Sequence, residues 1–206
     1  MLISRVIEQA RSGELNNLSV EGFTDTKVIS YINLGLIELY KRFSLRTEEA
    51  VITMRDSKTI YTLSDVDTDV SIETGIDVMV ITEVYDEGGA LLPINVESDD
   101  YSILTPSYNT IQVPYPAEGE ILSVIFTAGP IYISVDTQSL EIPISLLEAL
   151  LHYIGYRAHG AIDGNIQTEN NTHYQRFEAS CNRAIALGIV TADDTIESDV
   201  RNKGFI

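Results

Sequence analysis

Residues 24–62 read TDTKVISYINLGLIELYKRFSLRTEEAVITMRDSKTIYT, and the hydrophobic period changes within them. Val28, Ile29, Ile32, Leu36, Leu39, Tyr40 and Phe43 recur at helical spacing. Thr24 stands at the N-cap position, Asp25 lies in the first turn, and Lys41, Arg42 and Arg46 complement the dipole at the far end. From Glu48 the period is two. Ala50, Ile52 and Met54 alternate with Val51, Thr53 and Arg55, followed by the turn-like Asp56-Ser57-Lys58 and the strand-like Thr59–Thr62, which together predict a hairpin. A helix that hands over directly to strands points to an α+β chain.

The predicted helix carries a second message. Leu34 and Ile37 fall on the far side of the wheel from the main stripe, so this helix is apolar over more than half its circumference. Burial on two sides is expected, one of them against a neighbouring subunit through Leu34 and Ile37.

Before this stretch, Leu2, Ile3, Val6, Ile7 and Ala10 define a short helix that Gly13 ends. After it, strands are expected at 77–85 and 90–96 around the turn Asp86-Glu87-Gly88-Gly89, and at 110–113 and 121–128, separated by Pro114, Pro116 and Gly119. They predict an antiparallel β-module of five to seven strands, a sandwich or partial barrel. Pro143 suits a first helical turn, and Leu147, Leu150, Leu151, Ile154 and Ala158 mark a third helix that Gly160 can terminate. Thr172-His173-Tyr174-Gln175 reads as the capping box of a fourth, with Phe177, Cys181, Ala184 and Ile185 on one face and Gly188 at its end. The expected organisation is a helical bundle from 1–47 and 143–188, an inserted acidic β-domain at 48–142, and a C-terminal extension at 189–206.

The 206 residues carry a net charge of -18. From Thr59 to Tyr156 there is no Lys or Arg, so nearly all of the excess negative charge falls there. Binding a phosphate backbone requires cations, and this segment should repel DNA. Asp65, Asp67, Asp69, Asp86 and Glu87 are candidate residues of an acidic surface past which a polyanion slides without sticking. The N-terminal stretch has no uninterrupted apolar run and no segment approaches the roughly 18 residues of a membrane span, so a soluble intracellular product is expected. A single Cys181 excludes an internal disulfide.

Residues 152–184 hold all three histidines and the cysteine. His152 and His159 are seven apart, roughly 10 Å along a helix axis. That distance argues against a shared metal ion with bonds of about 2 Å. Both lie opposite the apolar face with Glu148 and Tyr156, and Glu148, His152, Tyr156 and His159 are expected to meet a neighbouring copy. Cys181 sits on the apolar stripe as a small core residue. Asp65-Val66-Asp67-Thr68-Asp69 resembles the start of a calcium loop, but Val70 and Ile76 stand where that loop needs Gly and Glu, leaving an acidic surface loop. Phosphate-loop, nucleophile-elbow, Cys-x-x-Cys and zinc-protease signatures are absent. No catalytic residue, cofactor or metal is expected. Two alternatives stand beside a structural role: a carbohydrate- or ligand-binding β-module, suggested by Tyr61, Tyr85, Tyr101, Tyr108, Tyr115 and Tyr132, and a metal-dependent enzyme using the three histidines.

The stretches EGFTDTKVISYINLGLIELYKRF (21–43) and IPISLLEALLHYIGYRAHGAIDGNIQTENNTHYQRFEASCNRA (142–184), with the β-insert between them, resemble the head-to-tail adaptor proteins of tailed bacteriophages, the tail tubular protein A-like family. The resemblance implies a structural virion protein, made in the host cytoplasm and located in the neck between capsid and tail. It implies a homo-oligomeric, commonly twelve-fold ring that joins the portal protein to the tail nozzle protein, with DNA passing through its channel unbound. It also implies a C-terminal extension that reaches the portal, for which Arg201, Lys203, Phe205 and Ile206 are the candidate anchors.

Overall fold

The computed structural model describes residues 1–160 and 169–190. It has the expected α+β composition. The chain divides into two compact units, Met1–Ser44 with Pro130–Ile206, and Leu45–Gly129.

The first unit is helical: α1 (Ile3–Ser12), α2 (Asp25–Arg42), a 3-10 turn at Ile144–Leu146, α3 (Leu147–Gly160) and α4 (Glu169–Ala186). Ile3, Val6, Ile7 and Ala10 of α1 are buried, as their spacing predicts. Two orphan amides at its start are satisfied by the incoming strap, Ile3 N–H donating to the Gln138 carbonyl (3.0 Å) and Ser4 N–H to that of Asp136 (2.9 Å). Half of α2 is buried, including Asn33 and Gly35. Asn33 exchanges both of its amide groups with the Ile133 backbone, at 2.8 and 2.9 Å, so a polar side chain in the core is fully matched. Gly35 sets the approach of α3: a Cβ there would lie 2.6 Å from Leu150 Cδ1 and 3.1 Å from Tyr153 Cδ1. Arg42 closes α2 against α4 by a paired hydrogen bond to Glu178 (2.7 and 2.6 Å) while lying over the Phe177 ring. The paired carboxylate pushes the Arg42 guanidinium above its ordinary value, and the guanidinium holds Glu178 below the usual carboxylate range.

Two helix starts differ from the sequence reading. Thr24 caps α2 through its backbone carbonyl, with no side-chain hydrogen bond. Helix α4 begins at Glu169, so Thr172 lies inside it instead of capping it. Gly188, with φ +66°, adopts the left-handed conformation expected after a helix end.

The second unit holds two antiparallel sheets. One has the order β3–β1–β7–β4, from β1 (Thr47–Thr53), β3 (Val70–Ser71), β4 (Val78–Tyr85) and β7 (Ile121–Ala128); the other is β2–β6–β5, from β2 (Ile60–Thr62), β5 (Leu104–Ser107) and β6 (Thr110–Gln112). Inward residues of both sheets, Ala50, Ile52, Val124 and Phe126 with Tyr61 and Ile111, share one core. The result is an open sandwich. Among the described residues no strand closes it into a barrel.

The expected hairpin of 50–62 exists only at its tip, as the bridge Arg55↔Lys58. Strand β1 pairs along its length with β7, from Thr47↔Thr127 to Thr53↔Ile121, while β2 pairs with β6. The chain therefore turns from one sheet to the other between Met54 and Thr59. The Tyr61 hydroxyl holds that corner by accepting the Arg55 N–H at 2.8 Å. Residues 90–96 likewise form no strand. Pro93 cannot donate to a ladder, and Asn95 takes a left-handed φ of 54° while its amide clasps Thr105 at 2.7 and 3.0 Å.

Candidate functional site

Helix α1 ends at Gly13, whose N–H bonds the Gln9 carbonyl at 3.0 Å, and the next residue, Glu14, turns back towards α3. Its carboxylate is the centre of a cluster. Oε1 lies 3.1 Å from His152 Nδ1 and Oε2 lies 2.6 Å from His173 Nδ1, while the Glu14 carbonyl is 2.9 Å from His159 Nε2. The His159 and His173 rings stack with centroids 4.8 Å apart and planes 13° apart. The three side chains that meet at the carboxylate are only 13–17% exposed. Burial draws the His173 imidazole below its ordinary value, against the pull of Glu14 and with the help of neighbouring His159.

The seven-residue spacing on α3 separates His152 from His159, and the two meet different atoms of Glu14, the carboxylate and the backbone carbonyl. The two rings sit one turn either side of Gly155, and Glu14 and His173 fill the gap that the glycine leaves. A Cβ at position 155 would stand 2.9 Å from His173 Nδ1 and 3.1 Å from Glu14 Oε2. Glu14 was missed because it lies 138 residues from His152. The available signal was Gly155 itself, on the histidine face of the helix, where a missing side chain marks a close approach.

The expected outward face of α3 is thus largely covered from within the chain. Tyr156 packs on Tyr174 at 5.2 Å, His152 and His159 meet Glu14, and Glu148 remains 58% exposed. On α2, Leu34 is half-buried and Ile37 is exposed. Cys181 is fully buried, and burial pushes its thiol up to about 11, so it stays protonated and inert.

The acidic residues divide into two kinds. Asp67 and Asp69 are not free surface charges: Lys58 Nζ lies 2.5 Å from Asp67 and 3.0 Å from Asp69, and Arg55 Nε lies 2.6 Å from Asp69. Two of the three alternate carboxylates that resemble a calcium loop, Asp67 and Asp69, hold a lysine ammonium instead. Burial alone would raise the Asp67 carboxyl, but Lys58 and the amides of Thr62 and Asp69 hold it below the usual range. Asp65 and Glu87 are exposed, and Asp86 spends one oxygen on the Ala90 amide at 2.8 Å within its turn. Of the tyrosines, Tyr61 is core, whereas Tyr101, Tyr108 and Tyr115 are exposed, and Tyr101 and Tyr115 pair at 5.1 Å. Arg201, Lys203, Phe205 and Ile206 lie outside the described residues. No helix among the described residues is long and apolar enough to cross a membrane.

A comparison with curated proteins found no match. Among protein-family models, the chain matches the one described as SU10 adaptor protein over residues 2–201, a span that runs through the helices, the β-sandwich and most of the C-terminal segment. That family is one of bacteriophage structural components, which agrees with the resemblance carried by residues 21–43 and 142–184. The chain belongs to the SU10 adaptor protein family.

Proposed function

We propose that this adaptor forms a ring, twelve-fold in the commonest arrangement, that joins the portal protein to the tail nozzle protein in the virion neck and lines part of the DNA channel. Family membership over nearly the whole chain is the observation that carries the proposal. Charge supports it. A stretch from Thr59 to Tyr156 without a single Lys or Arg offers DNA no counterion-releasing contact, so a polyanion passes without sticking. Asp65, Asp86 and Glu87 are the residues we assign to such a surface, with Asp67 and Asp69 contributing less because Lys58 and Arg55 offset them.

Contacts with other virion proteins are proposed at three places. Leu34, Ile37 and Glu148 make subunit contacts, Ile37 because an exposed isoleucine on a helix already buried over half its surface has apolar area left to cover. The exposed Tyr101, Tyr108 and Tyr115 face the nozzle, since tyrosines give large contact area together with a polar tip. The C-terminal extension reaches the portal, with Phe205 and Ile206 as apolar anchors and Arg201 and Lys203 pairing with acidic groups. Deleting residues 199–206 tests this last part. The expected outcome is loss of co-purification with the portal and an unchanged thermal melt of the isolated chain; retained co-purification contradicts the anchor.

A further inference from the structure

We propose that Glu14, His152 and His173 form a binding site for a divalent transition-metal ion of the zinc type, held by two imidazole nitrogens and one carboxylate. Their donor atoms all lie within 4.8 Å of one another. A tetrahedral ion with bonds of about 2.0–2.1 Å separates its ligands by about 3.3 Å. The distance from Glu14 Oε1 to His152 Nδ1, 3.1 Å, lies close to that edge length, whereas Oε2 and His173 Nδ1, at 2.6 Å, must move apart to reach it. Rotating the carboxylate away from His173 makes that room for an ion.

The donors come from three elements, the loop after α1, α3 and α4, and they converge on one point. His173 Nδ1 is the clearest sign of this. It is buried and makes no well-aligned hydrogen bond, although Glu14 Oε2 is 2.6 Å away. The contact falls short of hydrogen-bond geometry, so the nitrogen is left without a partner, and an ion lying beside the pair would supply one once the two groups part. A buried polar atom without a proper partner is costly, and a metal ion removes that cost.

The surroundings resemble a supporting shell. His159 fixes the Glu14 backbone through its carbonyl and stacks on His173, and Glu148 Oε1 stands 3.7 Å from the second nitrogen of His152, on the side away from Glu14. At 3.7 Å Glu148 makes no hydrogen bond to that nitrogen, and only a closer approach lets it orient the ring as partners on the outer nitrogen of a ligating histidine do. Gly155 lets Glu14 and His173 approach α3 this closely, since a Cβ there would stand 2.9 Å from His173 Nδ1. Two nitrogens and one oxygen select a borderline ion over calcium or magnesium, which take oxygen ligands. Three protein ligands leave a fourth position for water or for a side chain of another virion protein. Bound there, the ion ties the first loop to the α3–α4 pair and stabilises the helical unit.

The experiment uses the full chain stripped with a chelator and titrated with Zn²⁺ in a large excess of Mg²⁺, so that surface carboxylates do not compete. Uptake of one ion per chain, a rise in melting temperature, and affinity reduced about tenfold or more by His152→Gln, His173→Gln or Glu14→Gln support the site. Circular dichroism identifies any variant that fails to fold. For that case Co²⁺ is added to the unaltered chain, where intense visible bands report a four- or five-coordinate nitrogen and oxygen site. Zn²⁺ uptake that Mg²⁺ abolishes, uptake that folded variants leave unchanged, or Co²⁺ bands no stronger than those of the hydrated ion overturn it.

Discussion

Asn33 shows how one residue ties distant parts of the helical unit. Its amide gives a donor and an acceptor to the Ile133 backbone in a buried site. Asn33→Leu leaves that N–H and C=O buried and unpaired, and the expected loss of stability is about 1–3 kcal/mol per unsatisfied group, measured by urea unfolding. Lys58 plays a comparable part in the β-sandwich. Asp67 and Asp69 are held below the usual carboxylate range, Asp69 chiefly by Lys58 and Arg55. A depressed folded value means the stabilisation is present above the ordinary aspartate range near 3.8 and disappears as pH falls through the lower, folded values. Lys58→Met raises both carboxyls, so acid unfolding followed by circular dichroism is expected to begin at a higher pH than in the parent chain. An unmoved midpoint contradicts the pairing. Neither role was legible in the sequence. Asn33 sits at a helical position that any wheel assigns to an apolar face, and its partner lies 100 residues away. Lys58 was visible only as part of the turn Asp56-Ser57-Lys58, with nothing to mark Asp67 and Asp69 as its partners.

Elements were more legible than their pairings. The periods in residues 24–62 place a helix at Asp25–Arg42 and a strand at Thr47–Thr53, because a local pattern is enough to decide each. The partner of that strand is a global matter: β1 chose β7 and not its neighbour β2, since Ala50 and Ile52 must face a core that both sheets fill. The histidine face of α3 was misjudged for the same reason. A wheel shows which residues share a side but not which other segment covers it, and Tyr174, His173 and Glu14 cover this one. The α2–α3 contact gives a test at this scale. Gly35→Val places branched carbon where Leu150 and Tyr153 already sit within 2.6–3.1 Å of a modest Cβ. Overpacking costs about 1–3 kcal/mol, more than the few tenths gained from leaving glycine in a helix. A lower melting temperature is expected, and an unchanged one shows that α3 can shift at no cost.

For the whole molecule, the account rests on a helical unit and an acidic β-sandwich joined in one chain of the SU10 adaptor protein family. Charge was the most legible property at this scale, because a stretch free of Lys and Arg is read directly from the sequence. Its partners were not legible, since exposed groups such as Ile37 and Tyr101 state that a surface is available without stating what meets it. The central claim is assembly beneath a portal. Electron microscopy of the chain mixed with purified portal protein tests it most directly. The account predicts rings of adaptor subunits stacked coaxially on the portal around an open channel, whereas portals that stay bare beside unassembled adaptor chains would contradict it.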